Sequence, residues 1–175
     1  MAARRPGRLR TLTTIGAPVR ALTTGERWAV CRPLVELYRV AGPSRWLTRT
    51  LSDVLIGAEV IAAQPDRTAE VMAAFTRARR EPMRAAMRSM MLRRPGLEAE
   101  AASLRLPVLM FAAHGDGMGS GPDDIRDVAA TMPDARVVEV AGAGHLAPLF
   151  IDVDTIHDRL LDFWVDAQEP GRSLS

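Results

Sequence analysis

The length, composition and charge of the chain favour one compact globular unit and exclude several classes of protein. Its 175 residues are 47% hydrophobic and 25% charged, close to the average soluble domain and enough to bury a sizeable core. The 23 basic residues, all arginine, exceed the 21 acidic ones by a net charge of +2. That surplus is too small to predict binding to nucleic acid or to an anionic membrane.

Targeting features and cysteine chemistry give a consistent prediction of location. The sequence contains no charge-free apolar run of membrane-spanning length and no secretory signal pattern, so we expect a cytoplasmic protein. The single cysteine, Cys31, excludes an intramolecular disulfide. Residues 1–24 carry arginines but no acidic residue, which leaves a transit peptide or a basic arm as an alternative. The apolar pattern that starts at Leu9 favours a strand instead.

The N-terminal part of the chain predicts one strand followed by helices. A β-branched run predicts a strand over residues 9–15, which a Gly-Ala-Pro turn ends. Apolar residues at helical spacing then predict four helices, with breaks at Gly42-Pro43 and Gln64-Pro65-Asp66. We expect these helices at residues 26–40, 46–61, 67–80 and 82–92, the third capped near Asp66 and the fourth with Pro82 in its first turn.

The C-terminal part of the chain has a different pattern. The continuous apolar run at 106–113 predicts a parallel strand buried on both faces. A helix follows, with Ser120 as its N-cap and Pro122 in its first turn, then a strand at 137–140 and a last amphipathic helix around 153–164. Alternating strands and helices predict an α/β fold with about three parallel strands and flanking helices. We expect a disordered tail from residue 168.

Two polar residues follow the predicted C-terminal strands at the point where each strand ends. Asp116 comes shortly after the strand that ends at Ala113, and His145 comes after the strand that ends at Val140. Functional groups of parallel sheets gather beyond the carboxyl ends of the strands, so both side chains are expected at one edge if the strands are neighbours. A carboxylate bonded to imidazole Nδ1 orients the ring for general acid–base catalysis.

These segments resemble the closing half of the α/β-hydrolase superfamily. The resemblance rests on residues 106–116, with the sequence LPVLMFAAHGD, and on residues 132–145, ending in Gly-Ala-Gly-His. It implies that Asp116 and His145 are the acid and the histidine of a catalytic triad. It also implies a first core strand within residues 1–18, a helical cap or lid over 19–103 and the C-terminal core over 104–167.

The sequence departs from the family at the nucleophile. The family's Gly-x-Ser-x-Gly elbow precedes the first strand found here, yet the motif occurs nowhere in the sequence. The run Gly117-Met118-Gly119-Ser120-Gly121 has its serine one place late, so Ser120 is a weaker candidate for nucleophile than for N-cap. We therefore expect a truncated hydrolase that has little activity alone.

Other candidate sites have simpler interpretations. His114, Asp116 and His145 offer three metal ligands in principle, but no further ligands accompany them, and we expect no metal and no cofactor. Cys31 is expected in the core. The methionines at 83, 87, 90 and 91 line one face of a helix and indicate core packing or, as an alternative, an adaptable apolar pocket. The arginine cluster between 77 and 94 lacks the interleaved aromatic residues of a nucleic-acid surface.

Two functions of different classes remain open. The first is a hydrolase that cleaves ester, amide or similar bonds in small molecules. The second is a non-catalytic descendant of the fold that binds a ligand or a protein. The first predicted strand would lie at an open sheet edge, which favours pairing with a missing N-terminal half or with a second copy of the chain.

Overall fold

The computed structural model describes residue 3 and residues 5–168, and it divides the chain into two compact units. One unit comprises residues 1–20 and 97–175, and the other comprises residues 21–96. Of the tail predicted over residues 168–175, residues 169–175 lie outside the described residues. None of the helices among the described residues has both the length and the apolar character needed to cross a bilayer.

A three-stranded parallel sheet organises the first unit, as the sequence predicted. The strands are β1, Leu12–Ile15; β2, Val108–Ala113; and β3, Ala135–Val140. Their order is β1-β2-β3, with Leu12 opposite Val108 and Val108 opposite Ala135. β2 is therefore central, and each of its residues is buried. The fold is α/β with parallel strands, in agreement with the switch to strand-like sequence after residue 104.

The first strand is shorter than the predicted span of residues 9–15. The ladder begins where the Leu12 N–H donates to the Pro107 carbonyl at 3.0 Å. Alternate residues of β2 direct their backbone N–H groups toward β1. Pro107 occupies the next position in that series, just before β2 begins. Proline has no N–H, and the ladder therefore does not extend to Arg10.

The two faces of β2 pack against different helices because successive side chains of a strand point in opposite directions. Val108, Met110 and Ala112 contact the cluster that includes Ile125 and Val128. Leu109, Phe111 and Ala113 join the cluster of Ile156 and Phe163. The sheet is thus covered on both sides within this unit. The helices of this unit are α7, Glu98–Ala102; α8, Pro122–Ala129; α9, Pro148–Ile151; and α10, Val153–Asp166.

The second unit is entirely helical in its regular structure. Its core is formed by Cys31, Val35, Tyr38, Leu47, Met87 and Met91. Its helices carry the labels α1 to α6: Thr24–Glu26, Arg32–Ala41, Arg45–Leu55, Ala58–Ala63, Pro65–Arg77 and Arg80–Met87. π-helical turns at Arg27–Cys31 and Arg88–Leu92 extend the first and the last of these segments.

Several details of the helical unit differ from the prediction. The single helix expected over 46–61 is two helices, because Gly57 has φ 89°, a left-handed conformation that ends the regular hydrogen bonding. The helix expected from residue 67 begins two residues earlier, at Pro65, and its N-cap is Gln64, within the predicted break. Met90 is 62% exposed, whereas Met87 and Met91 are buried, so the predicted methionine face does not include Met90.

The boundary between the units also differs from the predicted one at residues 103 and 104. The short helix α7 belongs to the sheet-containing unit, where Ala101 and the following Leu104 join the cluster on one face of β2. At the other boundary the division falls after Arg20. The helical unit therefore comprises residues 21–96, and the function of a cap stays a prediction.

Candidate active site

Asp116 is held in a tight turn just beyond the carboxyl end of β2. Its N–H donates to the Ala113 carbonyl at 3.1 Å, which turns the chain back as soon as the strand ends. Its own carboxylate oxygen Oδ1 accepts the Met118 N–H at 2.8 Å. The side chain is 0% exposed. A buried carboxylate needs several donors to remain charged, and the turn supplies the first of them.

His145 reaches the same edge of the sheet from the loop after β3. Two hydrogen bonds extend the pairing of β2 and β3 past the strand ends, from His114 N–H to Val140 O at 3.2 Å and from Gly115 N–H to Gly142 O at 2.9 Å. The two loops therefore leave the sheet side by side. The Gly144 carbonyl accepts the Ala147 N–H at 3.1 Å, which folds the loop around His145.

The two side chains meet directly. His145 Nδ1 lies 2.8 Å from Asp116 Oδ2, so the ring donates its Nδ1 proton to the carboxylate, an oxygen that can only accept when ionised. In this tautomer Nε2 is left free to accept a proton from another group. The His145 side chain is 21% exposed. The arrangement is a carboxylate–imidazole pair with a buried acid and an imidazole that is partly open to solvent.

Ser120 is a third member of the site, and its role differs from the one predicted from the sequence. Its side chain is completely buried, and its hydroxyl donates to Asp116 Oδ2 at 2.6 Å. The N-cap of α8 is Gly121, and no side chain caps that helix. The predicted role of Ser120 as the N-cap is therefore wrong. Pro122 occupies the first turn, as predicted.

The position of Ser120 also speaks against its use as a nucleophile. Its Oγ lies 3.4 Å from His145 Nδ1, on the side of the ring that already faces the carboxylate. A serine activated by a histidine of such a pair must contact Nε2 and must reach the substrate. Ser120 Oγ is bonded to Asp116 and buried, so it has neither property.

Hydrogen bonds control the ionisation of Asp116. Burial alone would raise the pKa of its carboxyl group, but the donors His145, Ser120 and the Met118 N–H outweigh burial and lower the pKa below its ordinary value. The charge of His145 adds to the same effect. Asp116 is therefore ionised at neutral pH.

The end of β1 lies beside the same pair of residues. A side-chain carbon built at Gly16, the residue after β1, would lie 3.5 Å from His145 Cε1 and 3.6 Å from Asp116 Oδ2. The carboxyl ends of all three strands thus converge at this site. In the sequence, Gly16 indicated a turn and gave no sign of this proximity, because only the strand register reveals it.

The other candidates, His114 and Cys31, lie at the surface and in a hydrophobic core. His114 is 63% exposed and places Nε2 3.5 Å from Glu139 Oε2. Within residues 5–168 no three His, Cys, Asp or Glu side chains are arranged to hold a metal ion. Cys31 is buried in the core of the helical unit, and burial raises the pKa of its thiol.

Two members of the arginine cluster have contacts within the chain. Arg80 donates to the carbonyls of Arg39 and Val40 at the end of α2, at 2.8 and 2.6 Å. Arg84 pairs with Glu81 at 2.9 Å. These contacts give the two arginines a structural use that does not involve nucleic acid.

Comparisons with known proteins identify the fold. No protein-family model matches the sequence, and no curated protein matches it either. Solved structures do match it: the enol-lactonase from Burkholderia xenovorans LB400 has a TM-score of 0.80 at 20% identity. A thermophilic esterase from Thermogutta terrifontis also has a TM-score of 0.80 at 20% identity. MGS-M2, an alpha/beta hydrolase enzyme from a deep-sea metagenome library, has a TM-score of 0.75 at 11% identity. The chain therefore has the α/β-hydrolase fold.

The match covers nearly all of this chain but only part of each neighbour. It includes 94% of this chain and 59% of the enol-lactonase, 96% and 60% for the esterase, and 99% and 61% for MGS-M2. The chain thus spans about three fifths of the length of these structures.

Proposed function

We propose that this chain supplies the acid and the general base of an α/β-hydrolase active site that cleaves ester, amide or similar bonds in small molecules. Asp116 is the acid and His145 is the base. The observation that carries the proposal is the 2.8 Å contact between His145 Nδ1 and the fully buried Asp116 carboxylate. The α/β-hydrolase fold supports it, because the pair lies beyond the carboxyl ends of the parallel strands, where such folds hold their ligands.

The chemistry follows from the tautomer. With its Nδ1 proton donated to Asp116, His145 accepts the nucleophile's proton at Nε2 as the nucleophile attacks the substrate carbonyl. The charged imidazolium is then stabilised by the buried carboxylate. His145 next donates that proton from Nε2 to the leaving group as its bond to the carbonyl carbon breaks, so the ring returns to its neutral form. The same two proton transfers then serve a water molecule, which attacks the acyl group and releases it from the nucleophile. Asp116 remains ionised throughout, in accordance with its lowered pKa.

The nucleophile and the oxyanion donors are proposed to come from a segment outside these 175 residues. The sequence contains no Gly-x-Ser-x-Gly, and Ser120 faces the wrong nitrogen of His145. The neighbours have about two fifths of their length beyond the matched part, which is enough chain for the missing elements. Since oxyanion donors and the nucleophile provide most of the rate enhancement, we expect the chain alone to be nearly inert.

The open edge of β1 is the proposed attachment site for that segment. Leu12 and Gly16 direct their N–H groups toward β2, so Thr13 and Ile15 direct theirs to the opposite edge. Within the described part of the chain β2 is the strand paired with β1. Trp164 of α10 lies beside Arg10 and Thr11 in a shallow groove near the start of β1, and it is 45% exposed. A parallel strand of the nucleophile segment would satisfy the backbone groups and cover this apolar surface.

The helical unit is proposed to act as the cap that selects substrates. Its regular structure is helical throughout residues 21–96, and it has a core of its own. Removal of a unit with an independent core should leave the sheet-containing unit folded. If the helical unit selects substrates, replacing residues 21–96 by a different helical unit should change the substrate preference and leave the Asp116–His145 pair intact.

Expression of a longer reading frame tests the hydrolase proposal. The chain would be produced alone and with its upstream coding sequence in frame, and hydrolysis of p-nitrophenyl acetate and butyrate would be measured. We expect activity only in the longer protein, with loss of roughly 10³-fold or more in Asp116→Asn and His145→Ala. Ester hydrolysis by the 175-residue chain above its own His145→Ala control would contradict the proposed division of roles.

The alternative function is a non-catalytic protein that binds a partner through the same open edge. The open edge of β1 and Trp164, which is 45% exposed, favour it independently of any nucleophile. An upstream sequence without a nucleophile motif, together with a stable dimer of the chain in solution, would support this alternative. Sedimentation of the chain alone and of the longer protein distinguishes the two, because the hydrolase proposal predicts that the added strand of the longer protein replaces any self-association of the chain.

A further inference from the structure

Ser120 is buried beside the Asp116–His145 pair, and its contacts go beyond ordinary packing. Its hydroxyl donates to Asp116 Oδ2 at 2.6 Å, and the same oxygen lies 2.8 Å from His145 Nδ1. The other carboxylate oxygen, Oδ1, accepts the Met118 N–H at 2.8 Å. Both oxygens of Asp116 are thus held by groups from its own loop, four and two residues further along the chain.

We propose that Ser120 is a positioning residue for the pair, because its hydroxyl holds carboxylate oxygen Oδ2 where it accepts the Nδ1 proton of His145. The proposal rests on the proposed function, since it assigns the orientation of the acid to a residue outside the triad. Ser120 does not touch the reacting atoms. It acts through Asp116.

The geometry explains why a hydroxyl is needed at this point. A carboxylate held at one oxygen can still rotate about the bond to its side-chain carbon. The Met118 N–H fixes Oδ1, and the Ser120 hydroxyl fixes Oδ2, so the plane of the group is defined at both ends. Ser120 Oγ also lies 3.4 Å from His145 Nδ1 and therefore occupies the space into which the ring could shift. Alanine would remove the bond and leave that space empty.

Charged residues near the ends of β2 and β3 in the sequence have partners of their own. Glu139 pairs with Arg126 and lies near His114. Asp152 accepts the Ala141 N–H at 3.1 Å. The charge that contributes to the lowered pKa of Asp116 is that of His145 in its protonated form. A change at Ser120 should therefore be reported by the pair itself.

The test uses the chain as it exists and does not need the nucleophile. Proton NMR of the imidazole measures how fast the Nδ1 proton of His145 exchanges with water, in the original chain, in Ser120→Ala and in Ser120→Cys. We expect exchange about fivefold faster in Ser120→Ala, as for the loss of one net hydrogen bond. The cysteine variant should give an intermediate rate, because a thiol is a weaker donor.

A second readout follows the carboxyl carbon of Asp116 through an acid titration, with amide signals used to limit the analysis to folded protein. The pKa of Asp116 should rise in Ser120→Ala, since one of the donors that lower it is gone. The matched control is Ser52→Ala, which removes a buried serine hydroxyl bonded to Thr48 O at 2.9 Å in the helical unit. It should change neither readout.

The outcomes separate this inference from the proposed function. If the Nδ1 proton of His145 exchanges slowly in the original chain, Ser120→Ala must exchange faster and shift the Asp116 titration. Equally slow exchange in Ser120→Ala, with an unchanged Asp116 titration, would overturn the role of Ser120 alone. Rapid exchange in the original chain would mean that the Asp116–His145 bond does not form, which overturns the proposed function as well. Lower stability of Ser120→Ala with both readouts unchanged would show a role in packing only, and this too contradicts the proposal.

Discussion

The loops after β2 and β3 approach each other so closely that a single added methyl group should lower the stability of the fold. A side-chain carbon added at Gly115 would lie 2.4 Å from Ala143 Cα. Carbon atoms in contact lie about 3.5–4.0 Å apart, so the backbones would have to separate by roughly 1 Å. Ala143 Cα is backbone and cannot rotate away, and the displaced loops are those that carry Asp116 and His145.

The expected cost of Gly115→Ala is the balance of two effects. Forced overpacking lowers the free energy of unfolding by about 1–3 kcal/mol. Replacing glycine by alanine raises it by about 0.4–1 kcal/mol, because the unfolded chain has less conformational freedom to lose. Because a backbone atom must move, we expect the upper part of the first range and a net loss of about 2 kcal/mol. The free energy of unfolding would be measured in urea from amide signals of β2 and β3.

Gly117→Ala is the matched control from the same loop. A side-chain carbon there would meet no atom within 4 Å, so the variant should be as stable as the original chain or slightly more stable. Gly115→Ala should also weaken the bond between Asp116 and His145, seen as faster exchange of the imidazole proton. Equal stability of the two variants would refute the reasoning that contact between the loops aligns the pair.

Three further predictions concern charge, backbone conformation and capping. Since the folded-state pKa of Asp116 is lowered, its ionised form stabilises the fold above its unfolded pKa, and this contribution is lost as pH falls through the folded pKa. The free energy of unfolding, measured in urea, should therefore change less between pH 7 and about pH 3.5 in Asp116→Asn than in the original chain. Gly57→Ala should destabilise the helical unit by about 1–2 kcal/mol, because φ is 89° there, whereas Gly25→Ala should not destabilise it. Thr23→Ala should cost about 1 kcal/mol by removing the capping box with Glu26, measured by urea unfolding followed by circular dichroism.

The parallel strands could be predicted because their sequence signal is local. The apolar run before Ala113 is buried on both faces in the structure, as a strand of a covered parallel sheet requires. The positions of Asp116 and His145 followed from the rule that strand ends converge. The adjacency of β2 and β3, on which that rule depended, is observed in the register.

Features that depend on loop conformation or on a neighbouring segment of the sheet could not be predicted. Serine is a residue type preferred at N-caps, and Ser120 lies just before the first turn of α8. Only the fold of the loop brings its hydroxyl to Asp116. The break at Gly57 was hidden because apolar residues continue at helical spacing on both sides of it. The start of β1 at Leu12 depends on Pro107, the residue before β2, which the pattern within residues 9–15 does not reveal.

The state of the His145 ring tests the central claim most directly. The chain contains 3 histidines, so two-bond nitrogen–proton spectra of labelled protein are readily assigned with a His145→Ala variant. Our account predicts that neutral His145 carries its proton on Nδ1 and that this preference is lost in Asp116→Asn. A neutral ring protonated on Nε2, with no response to Asp116→Asn, would contradict the account.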